Sequence, residues 1–204
     1  MNAKILFKPE EEGINNVINT IKNFGEIYLD NYNKYAFRNC PLDAKDEIKY
    51  TISGDKNNIF TKIRNNENWM GTICINELDK SIEEHTWKIQ IVQTQFSLIM
   101  VGVAPFDFDF NSKYHYGSCG WYYNWYNSKL YSGPPYYYNN ENSGLSKANK
   151  NLIIKFNMKK RTIKFIVNDE DKGDSYVNIP IDRPIFPAVL LYNQNDSIEI
   201  TECN

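Results

Sequence analysis

The sequence predicts an all-β protein: a two-layer antiparallel β-sandwich that follows a short N-terminal helical extension. Two observations favour this fold class. Short segments alternate apolar and polar residues with a period of two, which is typical of strands with one buried face. Polar segments rich in Asn, Asp, Gly and Pro separate these strands at close spacing, which is typical of a sandwich.

The alternation is clearest between residues 151 and 192. Two apolar rows flank the basic turn at residues 158–161: Leu152, Ile154 and Phe156 come before it, and Ile163, Phe165 and Val167 come after it. So short a connection predicts a hairpin in which both strands turn the same face to the core. A polar turn follows at 168–174. Pro187 then opens a third apolar segment, and its missing amide hydrogen suits the start or the edge of a strand.

Further strands are predicted from residue 48 onward. Alternation recurs at 48–52, 59–63 and 87–91, and an apolar segment runs through 69–75. The segment 96–104 is nearly all apolar, so we expect a strand that is buried on both faces.

Residues 9–25 predict a helix. Pro9 suits a first turn, acidic residues follow it, and Gly25 is a suitable end. One apolar stripe recurs at helical spacing, formed by Ile14, Val17, Ile18 and Ile21. We expect this helix to pack on the following domain; the alternative is a coiled-coil or dimer contact. The predicted domains are therefore a helical extension at 1–33 and a sandwich at 34–204.

Composition limits the classes of partner. The net charge is −2 over 204 residues, which argues against a nucleic-acid ligand. No apolar segment reaches the roughly 20 residues that span a bilayer, and the first residues do not read as a signal peptide. The cysteines are widely separated, which predicts reduced thiols and no zinc site: Cys40, Cys74, Cys119 and Cys203. We expect a cytoplasmic monomer with no membrane partner, metal or cofactor.

Several motifs resemble the SPRY (B30.2-type) domain family. The family's C-terminal strands match two runs: Thr162, Ile163, Phe165, Val167 and Asn168, then Phe186, Pro187, Ala188 and Val189. Earlier matches are His85-Thr86-Trp87, the apolar-Gly-Val strand at 99–104, the Gly-Trp segment around Trp121, and Leu130-Tyr131. The resemblance covers residues 48–201 and implies the SPRY sandwich, which is similar to the legume-lectin architecture. The sequence departs from the family pattern at Lys88, Asn157 and Asp169.

The sequence contains no catalytic constellation. Its only histidines are His85, which stands at the family's usual place for a structural histidine, and His115, which lies between two tyrosines. No phosphate loop, nucleophile elbow or paired-carboxylate motif is present. Asp107 and Asp109 lack the spacing and the glycine of a calcium loop. We therefore predict that the protein is not an enzyme.

Aromatic residues are concentrated between residues 106 and 138. A sandwich core about 10 Å thick cannot hold every ring. We expect Trp121 and Tyr131 in the core, with Phe110, Tyr114 and Trp125 more exposed, where aromatic side chains act as binding anchors.

The resemblance also implies a binding surface, because partners of SPRY domains usually dock on loops at one end of the sandwich. In this chain those loops map to residues 64–70, 108–116 and 192–196. The predicted partner-binding residues are Arg64, Trp69, Met70, Phe110, Tyr114, His115, Trp125, Tyr192, Asn193 and Gln194. Asparagine and glutamine amides can both donate and accept hydrogen bonds, so such a site would read a short peptide around one or two apolar pockets.

The predicted function is protein–protein interaction through this surface, as an adaptor-like module without chemistry of its own. By the resemblance, such a module can belong to a larger assembly such as a ubiquitin ligase. The alternative is a lectin-like module that binds glycans, because Tyr, Trp and Asn are common in sugar sites.

Overall fold

Alternating buried and exposed side chains divide the protein into short strands. The computed structural model describes residues 34–38, 50–63, 65, 68–106, 111–112, 119–132, 139–140, 151–171 and 173–203. Within these ranges the strands, in chain order, are β1 Tyr50–Ser53, β2 Ile59–Lys62, β3 Trp69–Ile73, β4 Glu84–Gln93, β5 Ile99–Pro105, β6 Asn111–Ser112, β7 Trp121–Asn124, β8 Leu130–Ser132, β9 Asn139–Asn140, β10 Asn151–Asn157, β11 Thr162–Val167, β12 Glu170–Asp171, β13 Ile185–Leu191 and β14 Ser197–Glu202.

The strands form two antiparallel sheets of seven. The first sheet has the order β1-β2-β14-β4-β10-β11-β12, and the second has the order β6-β3-β13-β5-β7-β8-β9. The described part of the chain contains strands, turns and no α-helix, and none of it forms a helix long and apolar enough to cross a membrane. The predicted all-β, two-layer antiparallel sandwich is confirmed.

The predicted hairpin is formed by β10 and β11. Ile154 faces Phe165 across the pair, and β4 joins the other edge of β10 with Trp87 opposite Ile154. The three side chains point inward and are fully buried. The turn between the strands carries Arg161 in the left-handed region, with φ of 56°. The alternation of apolar and polar residues thus predicts which side chains of β10 and β11 face the core at the centre of the first sheet.

A large apolar core fills the space between the sheets, and a second apolar layer lies on the outer face of the second sheet. Because β3, β5 and β13 contribute to both layers, every one of their residues is buried. This confirms a strand buried on both faces, although it begins at Ile99 and not at Phe96. Trp121 is buried as predicted, whereas Tyr131 is half-buried and packs against the outer layer.

The close approach of β7 to β5 requires a glycine at position 102. A Cβ atom at Gly102 would lie 1.9 Å from the carbonyl oxygen of Trp121. No side chain can be accommodated there without separating the two strands, so the apolar-Gly-Val pattern of this strand has a steric cause.

His85 is buried in the core and not at a reactive surface. Its Nε2 pairs with the carbonyl oxygen of Asp79 at 2.9 Å. Burial lowers the pKa of His85, because the apolar surroundings disfavour the charged ring. Among the described residues, the buried Nδ1 of His85 and the buried Nε1 of Trp87 have no hydrogen-bond partner.

Residues Lys34–Asn204 form one compact unit. Its first described segment, 34–38, is bonded to the sheets: the Phe37 amide donates to the Asn57 carbonyl and the Arg38 amide to the Ile73 carbonyl, both at 2.8 Å. The predicted helix at 9–25 lies outside the described residues, and the predicted boundary between residues 33 and 34 stays a prediction.

Candidate functional site

Three loops at one end of the sandwich enclose a cleft of about 510 Å³. Strands β2 and β4 end there and β14 begins there, and the antiparallel pairing of β14 with both strands brings their loops together. We call this cleft the rim cleft. It is lined by Asn65 after β2, by Gln95 and Phe96 between β4 and β5, and by residues 192–195 between β13 and β14.

Asp196 lies beneath the cleft and is 0% exposed. Its Oδ1 accepts hydrogen bonds from Thr94 Oγ1 at 2.8 Å and from the Gln95 backbone amide at 3.3 Å. Its Oδ2 accepts from the side-chain amide of Asn193 at 2.9 Å and from the backbone amide of the same residue at 3.2 Å. One carboxylate therefore ties the β4–β5 loop to the β13–β14 loop through charge-assisted hydrogen bonds.

Lys62 ties the third loop to the same point. This last residue of β2 is 0% exposed, and its ammonium donates to the carbonyl oxygen of Asn68 at 2.7 Å and to that of Tyr192. Its backbone is also engaged, because its carbonyl accepts from the Asn195 amide at 2.7 Å and its amide donates to the Asp196 carbonyl at 3.1 Å. Lys62 and Asp196 together hold all three loops.

The two buried charges have opposite signs. Burial lowers the pKa of Lys62 to about 8, because a medium of low dielectric constant disfavours the ammonium, and the negative charge of Asp196 opposes this shift. Near neutral pH the floor of the cleft thus holds one positive and one negative group, and it presents no net charge to a ligand.

The ring of Tyr192 forms one wall of the cleft. It is half-buried, with its centroid 5.3 Å from that of Trp69 and 5.4 Å from the Lys62 ammonium. An aromatic neighbour and a cation near its face hold the ring in place, so its surface is available in a fixed position.

The remaining walls are more exposed. The Phe96 side chain is 56% exposed, and Gln194 and Asn195 are exposed as well. The loops turn sharply, since Ser97 and Asn195 adopt φ of 57° and 64°, and the Ser97 amide is bonded to Thr94 Oγ1 at 2.9 Å. An exposed phenyl ring on a closely bonded loop is a suitable anchor for a partner.

The lining supplies amide donors, amide acceptors and ring surface, and this chemistry suits binding. No charged side chain of the described residues lines the rim cleft. Elsewhere in the described ranges, no group of three or more His, Cys, Asp or Glu residues is placed to hold a metal ion.

Tyr192, Asn193 and Gln194, from the third predicted loop, line this cleft, and their role in binding a partner stays a prediction. Four other predicted binding residues lie outside the described residues: Arg64, Phe110, Tyr114 and His115. Their place in a binding surface stays a prediction.

Three predicted partner-binding residues are buried, and for one of them, Trp125, this corrects the expected exposure. Trp69 and Met70 are 5% and 2% exposed, because the loop ends earlier than predicted and both residues belong to β3. Trp125 was expected near the surface but is 0% exposed. Its amide donates to the Ile99 carbonyl at 2.8 Å and its ring packs against Tyr123 with centroids 6.4 Å apart, so it closes the core.

Sequence reasoning missed Gln95 and Phe96. The segment 96–104 is so apolar that Phe96 was assigned to the buried strand, although Ser97 follows it and bends the chain. A signal did exist, because Thr94-Gln95 ends the alternation of β4 and Ser97 interrupts the apolar run.

Comparison with known proteins identifies the fold and the family. A family model described as the SPRY domain matches residues 84–204, which is more than half of the 204-residue chain. No curated protein matches the sequence.

Solved structures resemble the protein along most of its length. The SPRY domain of human HERC1 superposes with a TM-score of 0.59 at 16% identity, over 76% of this chain and 93% of that one. A second human SPRY domain gives 0.58 at 17% identity, over 76% and 95%. The PSpry domain of TRIM65 gives 0.57 at 12% identity, over 89% and 98%. At these identities the superpositions show the fold alone, and the family follows from the match to residues 84–204. The chain therefore belongs to the SPRY domain family, whose members are protein-interaction modules.

Proposed function

We propose that this SPRY domain binds a short peptide segment of a partner protein in the rim cleft and performs no chemistry on it. The observation that supports this most is the pairing of a lining whose described residues are uncharged and rich in amides and rings with a rigid floor in which Lys62 and Asp196 hold all three loops. Loops fixed before binding lose little conformational entropy when a ligand arrives, which favours affinity.

The partner's assembly and its location are further parts of the proposal. Following the family resemblance, we propose that the domain reads a partner on behalf of a larger assembly such as a ubiquitin ligase. We place it in the cytoplasm, since the described cysteines Cys74 and Cys203 are free thiols. Cell fractionation of a tagged protein tests the location.

The glycan alternative gains no support. Sugar sites commonly use an exposed aromatic platform, yet all four tryptophans of this chain are buried: Trp69, Trp87, Trp121 and Trp125. A Trp125→Ala variant would therefore report on core packing and not on sugar binding.

Affinity purification with mass spectrometry tests the proposal with three tagged proteins. These are the wild type, a cleft variant Phe96→Ala with Gln194→Ala, and a control variant Phe106→Ala with Gln90→Ala. The control removes one exposed Phe at the opposite end of the sandwich and one exposed Gln on the outer face of the first sheet. The four side chains are exposed, so melting temperatures should stay within a few degrees of one another.

We expect to identify partner proteins that copurify with the wild type and with the control variant but not with the cleft variant. Overlapping synthetic peptides that cover the sequence of a retained protein are then tested to find the bound segment. Partners that remain on the cleft variant and depend on Phe106 or Gln90 would contradict binding at the rim cleft.

A further inference from the structure

The rim cleft has an unusual lining, and this inference about its ligand rests on the proposed function. Of the seven described residues that line it, five carry primary amides: Asn65, Gln95, Asn193, Gln194 and Asn195. The other two are Phe96 and Tyr192, which provide ring surface. A primary amide carries an acceptor and two donors, the same pair of groups that a peptide bond or another side-chain amide presents.

The charges nearest to the cleft are already paired. The Asp196 carboxylate accepts four hydrogen bonds from its own loops, and the Lys62 ammonium donates to two backbone carbonyls. Both groups are fully buried and they offset each other in sign. A ligand in the cleft therefore meets no unbalanced charge from the floor.

A charged ligand would fit this cleft poorly. Phosphate and carboxylate ligands are bound in proteins by arginine clusters or helix N-termini, and the described lining contains neither. A ligand charge that loses water without gaining an opposite charge is penalised strongly, whereas an uncharged amide can exchange its water for the amides of the cleft.

The aromatic residues of the cleft also favour an uncharged ligand. Phe96 is 56% exposed and lines the same cleft as Tyr192, whose ring is held against Trp69, so the cleft offers two ring surfaces to an apolar side chain of a ligand. A volume of about 510 Å³ is within the range of ordinary ligand pockets. The cleft thus combines a single apolar contact with several amide pairs.

We propose that the rim cleft selects an electrically neutral, amide-rich peptide segment: one apolar side chain placed on Phe96 and Tyr192, flanked by Asn, Gln, Ser or bare backbone, with no acidic, basic or phosphorylated residue inside the cleft.

A phage-displayed library of random 12-residue peptides tests this selection. The wild-type domain should enrich peptides with an uncharged core that contains Asn or Gln next to an apolar residue. Synthetic copies are then measured by calorimetry. Their dissociation constants should change by less than about twofold between 50 and 500 mM NaCl, because neutral contacts are not screened. Phe96→Ala should weaken them at least about tenfold, as expected for a buried aromatic anchor, whereas Phe106→Ala should not.

A charge-switch variant makes the test sharper. Asn65→Asp with Gln194→Glu keeps the shape of the lining and adds two negative charges. It should lose affinity for the neutral peptides and should enrich peptides with lysine or arginine, whose binding weakens at 500 mM NaCl.

The outcomes separate the two proposals. Wild-type selection of charged or phosphorylated peptides that still depend on Phe96 would overturn the ligand class and leave the rim cleft as the binding site. Peptides unaffected by both Phe96→Ala and the charge switch, or no enrichment over a library panned without the domain, would count against the rim cleft itself.

Discussion

The ammonium of Lys62 lies 5.4 Å from the centroid of the Tyr192 ring and donates a hydrogen bond to the backbone carbonyl of the same tyrosine. A single buried cation thus fixes the position of both the backbone and the ring of Tyr192, which forms one wall of the rim cleft. Asp196 holds the rest of that loop from the other side. The rim cleft is therefore supported from within the fold, and its shape can be changed without altering the residues that line it.

The first prediction concerns the carboxylate of Asp196. Asp196→Asn should lower the free energy of unfolding by about 3 kcal/mol, because it replaces one of the two accepting oxygens with a donor NH2 group, so that two of the four hydrogen bonds are lost, and it leaves the Lys62 charge buried without its counter-ion. Urea titration measures this loss.

The matched control is Glu84→Gln, which makes the same change in the exposed pair with Lys155 at 3.1 Å. Its effect should stay within about 1 kcal/mol. Equal losses in the two variants would mean that Asp196 does not organise the loops.

The second prediction concerns alkaline pH. The pKa of Lys62 is lowered from 10.5 to about 8, so between pH 8 and 10.5 the unfolded chain binds a proton that the folded protein has released. Over that interval the free energy of unfolding should rise with pH in the wild type relative to Lys62→Met, by up to about 3 kcal/mol. Below pH 8 the difference between the two proteins should be constant.

Urea titrations of both proteins at several pH values between 7 and 10 check this result. Parallel curves across the whole interval would show that Lys62 titrates normally and that its ammonium is hydrated.

The third prediction concerns acid. Burial lowers the pKa of His85, so as the pH falls below about 6.5 the unfolded chain takes up a proton before the folded protein does. The free energy of unfolding of the wild type should therefore fall between pH 6.5 and the lower folded pKa, whereas a His85→Gln variant should lack this component. Since His115 is the only other histidine, comparison of the two proteins isolates His85.

Nuclear magnetic resonance of the imidazole gives an independent reading. A His85 ring that titrates at or above 6.5 in the folded protein would contradict the predicted acid sensitivity.

The fourth prediction compares two phenylalanines. Phe165 is fully buried between Tyr123 and Tyr176, with ring centroids at 5.7 and 6.4 Å. Phe165→Ala should destabilise the domain by about 3–5 kcal/mol through the cavity that it leaves. Phe96→Ala should change stability by less than about 0.5 kcal/mol, since most of that side chain is already in water.

Thermal and urea unfolding of the two variants, with ligand binding measured on Phe96→Ala, separate stability from recognition. A loss of stability in Phe96→Ala comparable to that in Phe165→Ala would show that this ring belongs to the core and not to the proposed binding surface.

The strands could be predicted from the sequence because alternation is a local property. Ile154 and Phe165 point inward in every register that keeps the period of two, so their burial follows from a few neighbouring residues. The same local information placed Tyr192, Asn193 and Gln194 in a loop, and the family resemblance assigned that loop to the binding surface.

Whether an individual aromatic ring is buried or exposed could not be predicted from such local patterns. Trp125 and Tyr126 are adjacent and chemically alike, yet Trp125 is fully buried and Tyr126 is 54% exposed. The difference depends on the Ile99 carbonyl and the Tyr123 ring, which fix the turn after β7. The prediction that Phe96 lies in a buried strand was wrong for a related reason. The hydrophobicity of a side chain favours burial, but it does not determine the direction in which the loop turns.

By itself, the sequence determined the two-sheet sandwich, the inward rows of its central strands and the resemblance to the SPRY family, since each depends on patterns within a few residues. Only the tertiary structure decided that Lys62 and Asp196, 134 positions apart, share one buried site and bring together three loops around a cleft whose described lining is uncharged. The physical reason is that two opposite charges can be buried when folding places them together with their hydrogen-bond partners, and no local pattern along the chain encodes that meeting.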